Sequence, residues 1–98
     1  MSEQDIPLPP ASFELLVLSL KMQAELRLGL LGAEEGEQAN PDLPAARHAI
    51  DMIAMLSEKT KGNLTMEEQR LVENSLTELR FRYVQVHEKT LKSATAPE

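Results

Sequence analysis

The segment Lys59-Thr60-Lys61-Gly62-Asn63-Leu64-Thr65 decides the fold, because it separates two amphipathic helical patterns by one tight turn. Its two lysines suit the carboxyl end of a helix, where cations interact favourably with the helix dipole. Gly62 suits the left-handed C′ position that often ends a helix. Thr65 and Glu68 form a Thr-x-x-Glu capping box that begins the next helix. The segment therefore predicts the closed end of an antiparallel helical hairpin. A recognition loop is the alternative interpretation, but each position already has a structural reason.

The two helices of this hairpin are predicted over about residues 43–61 and 66–92. Asp42 is the expected N-cap of the first of them, and Pro44 lies in its first turn. The other carries apolar residues at the alternating spacing of three and four typical of a coiled-coil seam. These residues are Val72, Leu76, Leu79, Tyr83 and Val86. A second apolar strip beside the seam is the predicted packing position for the N-terminal helix. It consists of Phe81, Val84 and Leu91.

The N-terminal helix is predicted over about residues 12–31, with Ser12 as its N-cap. Gly29 or Gly32 is expected to end it. Its apolar residues form two stripes, whereas a surface helix needs only one. The first stripe is Phe13, Leu16, Val17, Leu20, Ala24, Leu28 and Leu31, and the second is Leu15, Leu18, Met22, Leu26 and Leu30. The other two helices can cover one stripe, so a second copy of the chain is the simplest cover for the other. We therefore predict self-association through Leu15, Leu18, Met22 and Leu26. A buried strand over residues 15–20 is the alternative, but helix length and the scarcity of β-branched residues disfavour it.

The remaining segments are predicted to lack regular structure. Residues 1–11 are proline-bearing and form a flexible arm, and residues 93–98 form a flexible tail. Residues 32–41 form an acidic loop that can span roughly 33 Å when extended. That length permits either a neighbouring antiparallel helix or a crossover. The sequence also leaves open whether the first helix packs within its own chain or across a dimer.

Composition argues against several classes of function. The chain has 98 residues, which is enough for one small domain. It has no cysteine, so disulfides, thiolate metal sites and cysteine nucleophiles are excluded. A net charge of −6 argues against a general binder of nucleic acid or anionic membranes. The most apolar stretch, residues 13–31, carries too many charges to span a bilayer. We expect a cytoplasmic protein.

One local concentration of positive charge is predicted at the open end of the hairpin. If the two helices are antiparallel about the turn, Arg47 lies level with Arg80. The cluster would then contain Arg47, His48, Arg80 and Arg82, with His87 as a further candidate member. Such a cluster would bind an acidic protein partner or an RNA phosphate. The alternative is that these arginines pair with Asp51, with Glu78 and with the acids of the loop at residues 34–37.

No pattern in the sequence predicts catalysis. The two histidines lack the helical spacing of metal ligands, so no metal and no cofactor are predicted. A hydrolase triad would need a strand–turn–helix elbow, and no strand is predicted. A polar pocket around His48 would be needed to support a small enzyme. Four methionines could line an adaptable groove, but filling of the core is the favoured interpretation for them. They are Met22, Met52, Met55 and Met66.

Several of these motifs together resemble a family of small bacterial proteins classified only as a domain of unknown function. The most specific is Lys-Thr-Lys-Gly-Asn-Leu-Thr at residues 59–65, followed by Glu67-Glu68, Leu79-Arg80 and Arg82-Tyr83-Val84. The resemblance covers roughly Phe13 to Val86. It implies a bacterial, cytoplasmic, all-helical protein, and it implies no activity and no site residues.

The sequence therefore predicts an all-α three-helix bundle. In this bundle, helices 2 and 3 form an antiparallel hairpin and the N-terminal helix packs on it. The bundle is further predicted to form a homodimer. The predicted function is that of a non-catalytic interaction or scaffold module that self-associates through helix 1 and has an unidentified protein partner. A nucleic-acid- or ribosome-associated factor that uses the basic cluster is the alternative.

Overall fold

The computed structural model describes residues 8–30 and 40–95, with side chains through Lys92. These residues form three helices and no strand: α1 (Phe13–Arg27), α2 (Leu43–Lys59) and α3 (Met66–Thr95). Each helix packs against both others, so the predicted all-α three-helix fold is confirmed. α1 ends before the predicted boundary at residue 31, and α3 continues past the predicted boundary at residue 92. Most of the acidic loop, most of the predicted arm and the end of the predicted tail lie outside the described residues.

Side chains cap the first two helices at the positions expected from the sequence. The backbone N–H of Leu15 donates to Ser12 Oγ over 3.0 Å. The backbone N–H of Ala45 donates to Asp42 Oδ1 over 3.1 Å. Each bond satisfies a backbone donor that has no partner within its helix, which fixes where the helix begins.

α1 ends in a Schellman motif centred on Gly29. This glycine has φ of +82°. The N–H of Gly29 donates to the carbonyl of Leu26 over 3.0 Å, and the N–H of Leu30 donates to that of Glu25 over 2.9 Å. These are the paired bonds that define the motif. The first of the two candidate glycines therefore ends the helix, and this explains why α1 is shorter than predicted.

α1 and α2 are antiparallel neighbours. The N–H of Asp42, the N-cap of α2, donates to the carbonyl of Arg27 at the end of α1 over 2.7 Å. α1 also packs more extensively against α2 than against α3. Of the two connections that the sequence allowed, the structure therefore has the antiparallel one rather than a crossover. It also packs α1 within its own chain.

The α2–α3 connection is built as the sequence predicts, with one shift. The N–H of Thr65 donates to Glu68 Oε1 over 2.9 Å, and the N–H of Glu68 donates to Thr65 Oγ1 over 3.0 Å, which forms the capping box. The N–H of Asn63 donates to the carbonyl of Thr60 over 2.8 Å. Gly62 has φ of +84° and lies two residues beyond the C-cap Thr60, rather than at the predicted C′ position. It occupies the third position of a β-turn, where type II turns require positive φ.

Substituting Gly62 tests whether this turn requires glycine for its backbone conformation rather than for lack of space for a side chain. A Cβ atom at Gly62 would meet no atom within 4 Å, so steric contact does not oppose a side chain. The positive φ does oppose one, so Gly62→Ala is expected to lower the free energy of unfolding by about 1 kcal/mol. Gly62→Asn is the control, because asparagine tolerates this conformation better and is expected to cost less. Urea denaturation of both variants measures the difference, and equal losses would contradict a backbone origin.

The core lies where the inner stripes of the three helices meet. α1 contributes Val17 and Ala24, α2 contributes Ala49, Ile50 and Ile53, and α3 contributes Val72, Leu76 and Leu79. The predicted α3 seam is therefore the buried face of that helix. Ser75 is also buried beside it, and its Oγ has no hydrogen-bond partner among the described residues. Because a buried hydroxyl without a partner carries a desolvation cost, the core contains one locally unfavourable position.

The predicted packing position of α1 on α3 was wrong. Phe81 and Val84 of the proposed strip are 64% and 51% exposed, so α1 does not cover them. α1 instead reaches α3 nearer the seam, where Lys21 Nζ lies 3.2 Å from Glu78 Oε1. Periodicity identified the strip as apolar but could not show which side of α3 the first helix would occupy.

Candidate functional site

The outer side of α1 carries an exposed apolar face. Its four large side chains are between 36% and 61% exposed. They are the residues that the sequence assigned to self-association: Leu15, Leu18, Met22 and Leu26. With Ser19 and Gln23 they line one shallow groove along the helix, and we call this surface the α1 face. The buried residues Val17 and Ala24 lie on the opposite side of the same helix. Of the described members of the first stripe, the structure turns most inward but leaves Leu16 exposed, and Leu31 lies outside the described residues. The second stripe is exposed among the described residues.

The α1 face has no ionisable side chain. Serine and glutamine are its only polar members. The four ionisable residues of this helix do not line the groove: they are Glu14, Lys21, Glu25 and Arg27. Lys21 lies beside Glu78 of α3. The face is thus apolar and neutral on a chain with a net charge of −6.

The methionines do not fill the core, contrary to the interpretation that the sequence favoured. All four are exposed: Met22, Met52, Met55 and Met66. Ile53, Ala46 and Ala49 of α2 occupy the interior instead. Only Met22 belongs to the α1 face. The sequence did not show whether these methionines lie at the centre of an apolar stripe, where they would be buried, or at its edge.

A second surface lies between α2 and α3, and we call it the arginine depression. It has a volume of about 290 Å³. Its lining contains Arg47 and Arg80, which confirms that these two residues are level across the hairpin. The remaining lining residues are Ile50, Asp51, Tyr83 and Val84. The sequence analysis placed Tyr83 only in the α3 seam, whereas the structure also sets it beside the arginines.

The other members of the predicted basic cluster do not line this depression. Arg82 Nε donates to Glu78 Oε2 over 3.2 Å, as the spacing of four residues predicted. His48 is exposed on α2. The ring of His87 stacks on Tyr83 with centroids 6.0 Å apart. The structure therefore reduces the predicted cluster of cations to one pair of arginines.

Glu78 contacts cations from two helices, Lys21 of α1 and Arg82 of α3. A hydrogen bond from Lys21, together with its positive charge, lowers the pKa of Glu78 below its ordinary value of 4.5, and Arg82 adds to the effect. Because the folded-state pKa is lowered, the charged carboxylate stabilises the folded chain above its ordinary titration range. That contribution is lost as the pH falls. Glu78 therefore links α1 to α3 through an ion pair with Lys21 and also pairs with Arg82, which does not line the arginine depression.

Within the part of the chain that the structure describes, no three histidine or acidic side chains come together in a way that could hold a metal ion. Across residues 8–30 and 40–95, no helix combines the length and the apolar character needed to cross a bilayer.

Comparison with known proteins gives one match. A family model described as Domain of unknown function (DUF1844) matches residues 10–85. The matched region begins before α1 and ends within α3, so it includes all of α1, all of α2, the hairpin turn and both candidate surfaces. No curated protein and no solved structure matches the chain. The family resemblance inferred from the turn and from the Leu-Arg-x-Arg-Tyr-Val motif is confirmed.

Proposed function

The chain belongs to the DUF1844 family, whose function is unknown, and we propose that it acts as a non-catalytic scaffold that self-associates through the α1 face. The observation that carries the proposal is the uncovered apolar groove formed by Leu15, Leu18, Met22 and Leu26. The proposal includes a bacterial cytoplasmic setting, which rests on the sequence resemblance alone.

The absence of charge on the α1 face favours a second copy of the chain as its partner. Two identical acidic chains repel each other over most of their surfaces, and like charges at a contact oppose association. The α1 face itself carries no charge, so contact between two copies there places apolar rather than like-charged side chains at its centre. Symmetric pairing of one patch with its own copy is also the commonest arrangement of soluble homo-oligomers.

The size of the face indicates a weak dimer. Covering a half-exposed Leu or Met contributes about 1 kcal/mol, which gives on the order of 8 kcal/mol for the four side chains of both copies. Association itself costs about 4–15 kcal/mol. The gain exceeds this cost only in the lower part of the range, and further burial of Leu16 and Leu30, which are also exposed, would add to the gain. We therefore expect a reversible dimer that is sensitive to concentration rather than an obligate one.

Analytical ultracentrifugation over about 1 µM to 1 mM protein tests self-association, a range chosen to bracket weak dimers. We expect the mass to rise from monomer to dimer across this range. Met22→Glu is expected to weaken the dimer at least about tenfold, because it places two carboxylates in the apolar contact. Phe81→Glu is the matched control, since Phe81 is similarly exposed but lies on α3.

Two results would contradict the proposal. One is a wild-type chain that stays monomeric to about 1 mM, the upper end of that range. The other is an equal loss of association in the Met22→Glu and Phe81→Glu variants, which would show that the contact does not depend on the α1 face. Circular dichroism of each variant establishes that the helices are retained.

A further inference from the structure

The arginine depression between α2 and α3 is independent of the α1 face, because the two surfaces share no residue. We propose that it binds a short peptide segment of a partner protein in which an acidic residue neighbours an apolar one. Arg47 and Arg80 hold the carboxylate, and the apolar wall of the depression accepts the adjacent side chain. The scaffold then has a docking site for a partner at the arginine depression in addition to the α1 face through which it self-associates.

The charge of the ligand follows from the two arginines. Among the described residues, neither Arg47 nor Arg80 forms an ion pair, whereas Arg82 is held by Glu78. Guanidinium groups bind carboxylates through parallel charge-assisted hydrogen bonds and are always protonated. Two such groups on the walls of one depression therefore favour a ligand that presents a carboxylate between them.

The apolar part of the ligand follows from the rest of the lining. Ile50 is almost fully buried and forms part of the wall, and Tyr83 is partly buried beside it. Val84, which also lines the depression, is 51% exposed. An apolar side chain placed here removes this surface from water. A bare inorganic anion would gain nothing from it, so a peptide segment with an apolar residue fits the depression better.

A peptide is also favoured over nucleic acid by the charges around the arginines. Asp51 lines the depression and offsets one of the two guanidinium charges. The whole chain has a net charge of −6, which repels a polyanion. Nucleic-acid affinity depends on neutralising several phosphates in succession, and two arginines beside an aspartate provide few such contacts. One carboxylate on a short segment avoids most of this repulsion.

Amide NMR titration of the ¹⁵N-labelled full chain tests the proposal directly. The probe is the blocked peptide acetyl-Ser-Leu-Glu-Leu-Ser-amide, and its matched controls replace Glu with Gln or both Leu residues with Ala. We expect saturable shifts at the amides of Arg47, Ile50, Arg80 and Val84, with weaker binding of both control peptides. A short single-stranded uridylate RNA is titrated in parallel at low salt.

Two variants identify the residues responsible. Arg80→Gln is expected to weaken binding of the probe about tenfold or more, which is the effect of losing one hydrogen bond to a charged group. Arg82→Gln is the matched control and is expected to leave binding unchanged, since Glu78 already holds that side chain. The proposal is overturned if the probe does not bind, if its binding is insensitive to Arg80→Gln, or if its shifts fall on the α1 face. Arginine-dependent binding of RNA alone would overturn it in favour of a nucleic-acid interface.

Discussion

Replacing Leu79 by alanine is expected to lower the free energy of unfolding by about 3 kcal/mol. Leu79 is fully buried at the centre of the α3 seam, where all three helices contribute side chains to the core. Its truncation removes apolar contact and leaves a cavity that helices can close only in part. Small domains have total stabilities of about 5–15 kcal/mol, so this single change removes a large part of the total. Urea denaturation at a protein concentration too low for dimerisation measures the loss.

The control for Leu79→Ala is Leu16→Ala. Leu16 is 47% exposed on α1, so the same chemical change leaves no enclosed cavity there. We expect a loss of less than about 1 kcal/mol, as for most exposed substitutions. Comparable losses at the two positions would show that the seam is not the buried centre of the bundle.

Enlarging Ala24 to leucine is expected to destabilise the chain by about 2 kcal/mol through overpacking. Ala24 is fully buried on the inner side of α1, in the same cluster as Ala49 of α2. Alanine and leucine both favour helix, so the change tests the space between the helices rather than helix propensity. A leucine there must displace neighbouring side chains or move α1 away from the other helices. Thermal or urea denaturation measures the effect.

Ala45→Leu provides the comparison for Ala24→Leu. Ala45 is only partly buried near the start of α2, so the added atoms can extend toward solvent. We expect its cost to stay below about 1 kcal/mol. A neutral Ala24→Leu variant would mean that α1 and α2 are less closely packed than the structure shows. A variant that retains its helices but associates more strongly would instead indicate that α1 has moved.

The features that the sequence predicted correctly are those set by neighbouring residues. Ser12, Asp42 and the Thr65–Glu68 pair each cap a helix within three residues of themselves, so local sequence determines them. The α3 seam is similar, because its spacing of three and four follows from the helix itself. The register of the hairpin, and with it the approach of Arg47 to Arg80, follows from one short turn.

The features that the sequence could not predict depend on contacts between distant segments. The choice between two apolar strips of α3 is decided by how α1 lies against α2, and no local pattern encodes it. The pair Lys21–Glu78 joins residues of different helices and has no spacing by which it could be recognised. Arg82 is a different case: it pairs with Glu78 at a spacing visible in the sequence, and it lies two residues from Arg80, on another side of the same helix. Residues on one helix or at one turn could therefore be placed from the sequence, whereas contacts with α1 could not.

The hydrogen bond from Asp42 to the carbonyl of Arg27 has a consequence for protein engineering. It returns the chain to the point where α1 ended, so the intervening segment begins and ends at one place. The entropy of closing such a segment grows with the logarithm of its length, at about 0.6 kcal/mol for each doubling. Insertions between the first two helices are consequently inexpensive in closure entropy. A fluorescent reporter inserted between these two ends is therefore expected to leave the buried contacts among the three helices unchanged.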